Sequence, residues 1–547
     1  TCALPISIAA IRKQLQGRQR NEMRKAMNER VEHLESLRVM KKLGKVIAKL
    51  GDKPQLSLDL SSLVTQDGRL LTTALEIHKE TTAFFEKWFS VPDELDPAAK
   101  ALEHSPDHWN RLLLPPSPDD PTPLLVPDSH IPLELQRGLR RACLKKATPE
   151  LETAMRKAVD APITEDDFLQ AVQKLKRGKA PGPSMLTTNM IKGWSEATLS
   201  WVFSLISKMW EHKYAPHWWR DRVLCPAPKS SDASSLTNMR PISLFEILRK
   251  LWTGIIITRI HYTWATFGVL HSSQHGYRWR QGTDTALLRL INALEEGADQ
   301  QQRSFLTLWD IRRCFDSISR NLMKLAWARL GVPSDVVHWI TNLDEGSHTY
   351  IWTPYMADNM EPRSLDSLLA HDGPFIREHE LGFDTQRGCG QGDTLSSVAF
   401  VAVFDILLDW IDPEITDQDL AYADDLTNVV ATRAAMQEKA DRISAFCSFS
   451  GLEIAAAKII SVLVSPDPDD NPPDIPLIVR DWQWHSSEVH LQTGRQILKY
   501  LGVEVCLEED TLLDYKHCKA YLQAALGHIT IRQATSACKM EVITCQV

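Results

Sequence analysis

At 547 residues and 61.9 kDa the chain is too long for one hydrophobic core and points to about three or four units. Its 43% hydrophobic and 24% charged residues are the ordinary balance of a globular protein, and no run of about eighteen apolar residues is read, so no membrane-spanning helix is expected. Ten cysteines without a Cys-x-x-Cys pair speak against a zinc ribbon or a disulfide scaffold, and a net charge of −8 excludes a protein that attracts nucleic acid through its overall charge.

The sequence starts at Thr1, and residues 1–10 lack the length and basic start of a secretory signal, so a fragment of a longer chain is expected. Residues 12–49 carry twelve Lys and Arg against four Glu, a local charge of +8, with Leu34, Leu37, Leu43 and Val46 interspersed. This reads as one or two basic amphipathic helices. Against −16 for the rest of the chain, it is the densest surface for tracking a phosphate backbone, with an affinity expected to fall steeply with salt. Residues 105–132 hold eight prolines and 466–476 hold five, the composition of linkers or surface loops rather than core.

Regular globular sequence begins at Thr164, where Glu165, Asp166 and Asp167 followed by Phe168, Val172 and Leu175 predict a capped amphipathic helix stopped by Gly178. Lys179-Ala180-Pro181-Gly182-Pro183 is a rigid turn behind that basic helix end. A helix around 190–210 precedes a strand at 223–229, and Arg240-Pro241-Ile242-Ser243 leads into a long apolar helix through Ile260. Residues 274–283 combine Arg278 and Arg280 with two aromatics and two glycines, the forks and pliable backbone that a triphosphate needs. A plain basic loop before a helix at 283–295 accounts for the same residues.

Phe305-Leu306-Thr307-Leu308-Trp309 is an apolar run ending at Asp310, followed by Phe315 and Asp316. A second run, 420–430, is broken by Asp424 and Asp425, and its composition predicts a β-hairpin with two carboxylates at the tip. Taken alone, an acidic turn is ordinary, because Asp tolerates turn geometry. Together, the single and the paired carboxylate are expected to converge on one edge of an antiparallel sheet. There they would hold two Mg²⁺ ions roughly 3.5–4 Å apart, an arrangement suited to in-line phosphoryl transfer. Between the two runs, 321–331 reads as a helix and 345–383 as an insertion or long loop. Gly390-Gln391-Gly392 opens a helix reaching Trp410, and backbone of that kind can approach a sugar-phosphate or a base closely.

These pieces occur in a recognisable order. Arg240-Pro241-Ile242-Ser243, Gln274-His275-Gly276-Tyr277-Arg278, Asp310-x5-Asp316, Gln391-Gly392-Asp393-x-x-Ser396, Tyr422-Ala423-Asp424-Asp425, Gly451-Leu452 with Lys458, and Lys499-Tyr500-Leu501-Gly502 together resemble the reverse transcriptases of non-LTR (LINE-type) retrotransposons. The resemblance covers about residues 174–505. It implies an α+β right-hand polymerase: a basic helical extension at 1–104, a Pro-rich linker and helix at 105–150, fingers at 151–304, a palm at 305–505 and the start of a thumb at 506–547. It also implies Asp310, Asp424 and Asp425 as ligands of two Mg²⁺ ions and Lys458 as proton donor to the departing pyrophosphate. Arg278 and Arg280 would bind the triphosphate, Phe315 would gate against a ribose 2′-hydroxyl, and Gln391, Gly392 and Tyr422 would line the nucleotide site.

The implied partners are an RNA template, a DNA primer or target and deoxynucleoside triphosphates, with no membrane. The implied setting is intracellular, in the nucleus with a cytoplasmic ribonucleoprotein stage. The chain departs from the family's pattern at Ser184-Met185, where Asp-Gly is usual, at Ala455, where Asn is usual, and in a short stretch between Gln391 and Tyr422. A maturase-like polymerase and a catalytically degenerate RNA-binding fragment remain as alternatives.

Overall fold

The structure is a computed structural model, which describes residues 62–105, 108–115, 126–229, 235–279, 281–359, 382–415, 419–465, 474–493, 497–501 and 503–506. The basic arm at 12–49 and Arg280 lie outside the described residues. Residues Leu58–Gly494 form one compact unit. Of the second unit, the structure describes a hairpin, Ile497–Tyr500 paired antiparallel with Val503–Cys506, whose turn falls in the Lys499-Tyr500-Leu501-Gly502 motif.

The main unit mixes helices with predominantly antiparallel sheets. Its five-stranded sheet runs in the order Leu491–Gln492, Ile460–Val464, Ser304–Trp309, Asp425–Val430, Asp419–Tyr422. The middle strand is buried almost throughout, so it carries both apolar and internally satisfied polar side chains. Thr307 shares a hydrogen bond with Ser461 at 3.1 Å, and the Trp309 indole donates to Asn428 at 2.6 Å. Asn428 in turn donates to Asp419, which pairs with Lys439 on the helix Arg433–Ser450. The edge strand Leu491–Gln492 joins in parallel, so the sheet is mixed where an antiparallel one was expected. A second sheet orders Met239–Phe245, Arg222–Pro228, His348–Ile351, Gly382–Asp384.

Helix Thr394–Ile411 corrects the reading that no segment is long and apolar enough to span a membrane, because by length and composition it qualifies. Its apolar surface is taken up inside the unit, where Val398, Phe400, Val401, Phe404 and Leu408 are buried among other core side chains. Its two carboxylates are answered as well. Asp405 and Asp409 both meet Arg329 and Lys146, and Asp405 also accepts the His271 backbone N–H at 2.6 Å. Buried charges in such a helix persist only when paired in this way.

Two stretches expected to be loops contribute to the core. Within 105–132, the short helix His108–Leu112 buries Trp109 and Leu112, and Ile131 joins the same cluster. Proline density had masked three large apolar residues that a solvated linker would not bury. Within 345–383, His348–Ile351 is a fully buried strand pairing in parallel with Arg222–Pro228, because its β-branched and aromatic residues suit a pleated surface. The capping box at Thr164 forms as read, although the helix ends at Lys174, before Gly178.

Candidate active site

Register brings the acidic residues together. Strand Ser304–Trp309 pairs antiparallel with Asp425–Val430 through Leu426↔Trp309, so one further step sets Asp425 opposite Asp310. Asp425 also pairs with Tyr422 across the hairpin, leaving Ala423 and Asp424 as a two-residue turn. Opposed Cα atoms in such a ladder lie about 4.5–5.5 Å apart. The three carboxylates therefore share one end of the sheet, and they feel one another: Asp424 is raised above the usual carboxylate range by burial and by Asp310. Asp425 is pushed up to about 6 by burial, then by Asp424 and Asp310, although its side chain reaches solvent.

The turn is held from behind by the segment read as a triphosphate loop. Ala423 sits at φ +58°, a left-handed conformation costing an L-residue roughly 1–2 kcal/mol. Buried Gln274 offsets this by accepting the Ala423 N–H at 2.9 Å and donating to the Ala423 carbonyl at 3.3 Å. Backbone bonds His275 N–H to Ala421 O (2.7 Å) and Ala421 N–H to Ser273 O (2.8 Å) fasten the flank. Gly276 serves this contact as well, since a Cβ there would stand 2.3 Å from the Ala423 nitrogen. Arg278 donates to the carbonyls of His271 and Gln274 at 2.8 and 3.1 Å. In this structure its guanidinium ties the loop to itself.

Other side chains surround the carboxylates. Lys458 Nζ lies 3.5 Å from Asp310 Oδ2, both groups being well exposed. Its backbone follows a short turn anchored on the site, because Ala455 N–H donates to the Asp310 carbonyl at 2.9 Å. A backbone donor does this, so the side chain at Ala455 is not needed for it. A further cation, Lys229, lies close enough to feel Asp310. The Lys229 ammonium is lowered in pKa by burial and by repulsion from Lys458, Arg240 and Arg313, with Asp310 acting in the opposite sense. The sequence signal was weak: Lys229 was read as a strand end and Arg240 as a motif letter. Tyr277, also unassigned, is held above the usual phenol range by burial, then by Asp424 and Tyr422, so its hydroxyl belongs to this site.

Phe315 is half-buried, its ring 4.8 Å from that of Phe400 and tilted by 32°. The Gln391 carbonyl accepts the Ser243 N–H at 2.8 Å, and the Gln391 side chain is half-exposed. Gly392, at φ +126°, is required by the protein itself, because a Cβ would come within 2.4 Å of the Ser243 carbonyl oxygen. Asp393 caps the following helix and pairs with buried Arg249.

Among the described residues no three His, Cys, Asp or Glu side chains close a metal cage by themselves. Mg²⁺ does not require one, since it keeps waters and commonly takes one or two carboxylates together with substrate phosphates. The mutual repulsion of Asp310, Asp424 and Asp425 is the chemical condition a divalent cation relieves, so the donor set fits the ion.

The family model for reverse transcriptase (RNA-dependent DNA polymerase) matches residues 227–505, just over half of the chain. The chain belongs to the reverse transcriptase family. Within that family it stands with the polymerases of non-LTR retrotransposons. It is 26% identical over 313 residues to a retrovirus-related Pol polyprotein from type-1 retrotransposable element R2 of Popillia japonica, covering 56% of this chain and 40% of that protein. Against the corresponding polyprotein from type-2 retrotransposable element R2DM of Drosophila melanogaster, identity is 25% over 350 residues, 62% of this chain and 30% of the relative. The RNA-directed DNA polymerase from mobile element jockey of Drosophila funebris is 26% identical over 176 residues, 31% of this chain and 19% of the relative. This reverse transcriptase chain thus spans well under half the length of these relatives.

Proposed function

We propose that the chain is the RNA-directed DNA polymerase of a non-LTR retrotransposon, copying RNA into DNA by two-metal nucleotidyl transfer. The observation that carries the reading is the meeting of Asp310, Asp424 and Asp425 at one end of the five-stranded sheet, with Lys229 close enough to feel Asp310. The unit then corresponds to the palm and fingers of a right-hand polymerase, the four-stranded sheet joining strands from both spans. When bound, two Mg²⁺ ions activate the primer 3′-hydroxyl and neutralise phosphate oxygens.

The protein's own side chains set the rest. Asp310, Asp424 and Asp425 bind and space the cations. Lys229 and Arg240 offer positive charge to the triphosphate, and Lys458 holds a proton beside the departing pyrophosphate. Tyr277 and Tyr422 border the nucleotide, and Gln391 lies where its base meets the template. The template has a track of suitable chemistry: a cavity of about 770 Å³ whose lining includes Lys174, Lys176, Lys179 and Lys250, reaching Tyr277 and Gly392. The assigned setting is intracellular, with a nuclear stage at which a DNA target serves as primer.

Primer extension on an RNA template tests the reading. Mg²⁺-dependent synthesis from deoxynucleotides is expected, and it should disappear with a chelator. RNA binding without extension would leave the degenerate fragment as the better description.

Substrate choice gives a narrower prediction. Phe315 is half-buried against Phe400, and in this reading Phe315→Ala opens space where a ribose 2′-hydroxyl would otherwise clash. Discrimination between deoxynucleotides and ribonucleotides should fall by roughly tenfold or more, a typical yield of one steric contact. Unchanged discrimination would make Phe315 a support for Phe400 only.

A further inference from the structure

We infer that Trp88 is a positioning residue of the nucleotide site, a ring platform that holds Arg313 and Lys229 ready for the triphosphate of the incoming nucleotide. Trp88 ends the helix Ala74–Trp88, more than a hundred residues before the span matched by the reverse transcriptase family. The Arg313 guanidinium carbon lies 3.8 Å from its ring centroid and Lys229 Nζ lies 5.9 Å away. Lys229 feels the Asp310 carboxylate and is repelled by Arg313, and Arg313 stands three residues after Asp310 in the chain. The inference rests on the polymerase reading for its substrate and on these contacts for its geometry.

The platform is itself fixed. Its indole N–H donates to Asp316 Oδ2 at 3.2 Å, and Asp316 is wholly buried, with its other carboxylate oxygen lacking a hydrogen-bond partner. Phe84 and Phe85 flank the ring at 5.7 and 6.0 Å. A short helix, Cys314–Ser317, links Arg313 directly to Asp316, so the anchor of the indole and one of its passengers move as one piece.

The choice of a ring has a physical reason. Lys229 is repelled by Arg313, Arg240 and Lys458 when no substrate is bound. A carboxylate would hold such cations in place but would also cancel their charge and compete with an incoming phosphate. An aromatic face orients a cation with a modest attraction and leaves its charge available to an anion. Among the described residues neither Arg313 nor Lys229 lies within ion-pair distance of a carboxylate, and Lys229 donates instead to the Thr237 carbonyl at 3.2 Å. Glu453 and Asp316 act on Arg313 and Asp310 acts on Lys229 from farther off, so neither cation is tied to an acid by direct contact.

The test compares the full chain with Trp88→Leu, which removes the π face, and Trp88→Phe, which keeps a face but loses the bond to Asp316. Two quantities are read: the affinity for inorganic tripolyphosphate by calorimetry, and KM and kcat for a deoxynucleotide in primer extension. Trp88→Leu should weaken tripolyphosphate and raise KM roughly five- to thirtyfold, in keeping with the loss of one or two cation–π contacts. Trp88→Phe should show a smaller change, and kcat at saturating nucleotide should stay close to that of the parent.

If Trp88→Leu lowers only the melting temperature and leaves both affinities as they were, Trp88 is packing and the inference is wrong. It is equally overturned if the parent chain binds no tripolyphosphate. Should the parent bind tripolyphosphate in a Trp88-dependent way yet extend no primer, the platform stands and the polymerase reading falls.

Discussion

Replacing Asp424 by Asn is expected to abolish primer extension, by about 10³-fold or more, while making the metal-free protein more stable. The loss follows from the position of Asp424 in the hairpin turn between Tyr422 and Asp425, where no neighbouring carboxylate can take its place. The gain follows from electrostatics. Asp424 and Asp425 are both raised above the usual range by burial and by the surrounding acids, Asp425 to about 6. The native state therefore holds these protons more tightly than the unfolded chain, whose carboxylates titrate near 4. As pH rises from about 4 to about 6 the metal-free protein should lose stability from this cluster, and above that range the penalty is fully present.

Asp424→Asn should accordingly melt higher than the parent at pH 8 without metal, with the difference shrinking toward pH 4. Mg²⁺ should raise the melting temperature of the parent more at pH 8 than at pH 5, and should do less for the variant. Thermal melts across this pH range, with and without Mg²⁺, check both statements. A variant less stable than the parent at pH 8 would show that Asp424 is satisfied within the protein rather than waiting for a cation.

Arg249→Met should destabilise the main unit by about 3–5 kcal/mol, the usual consequence of leaving buried charge without its partner. Arg249 is fully buried and uses its whole fork. Nε and Nη2 meet Asp393 at 2.9 and 2.7 Å, Nη2 also meets Asp344 at 2.8 Å, and Nη1 donates to the Trp219 and Leu343 carbonyls at 2.9 and 2.7 Å. Burial works against ionisation of Asp393, yet Arg249 and Lys250 outweigh it and hold its carboxyl below the usual range. Methionine fills much of the volume but answers neither carboxylate. The effect should reach the nucleotide site, because Asp393 caps helix Thr394–Ile411 immediately after Gln391-Gly392.

Arg249→Lys keeps one charge without the fork and should fall between parent and Arg249→Met. Denaturant midpoints measure the series. A cost below about 1 kcal/mol for Arg249→Met would mean that water or a local rearrangement replaces the guanidinium.

What could be read from the sequence was of two kinds. Short-range periodicity and capping gave most of the elements. The apolar runs of 305–309 and 420–430, the capped helix start at Thr164 and the apolar length of 247–267 each depend on residues a few positions apart, and each element is present. The convergence of Asp310 with Asp424 and Asp425 was also legible, because a carboxylate placed at a strand end has few destinations once two such strands share a sheet.

The tertiary structure decided how particular side chains are used. Arg278 has the chemistry of a phosphate ligand, and in the folded chain it also fastens its own loop through two carbonyls. Trp109 sat in a proline-rich stretch and became core. Thr394–Ile411 had the length and composition of a membrane span, and its neighbours made it the centre of a folded unit.

The sequence by itself determined the local elements and the acidic hairpin, since hydrogen-bonding period and turn chemistry act over a few residues. Only the folded chain brought Lys229 near Asp310 and set Trp88 against Lys229 and Arg313. The physical reason is range: the Trp88 bond to Asp316 crosses 228 positions and the Arg249 bond to Asp393 crosses 144. No periodicity links residues so far apart, and packing in three dimensions alone chooses which charge meets which ring or carboxylate.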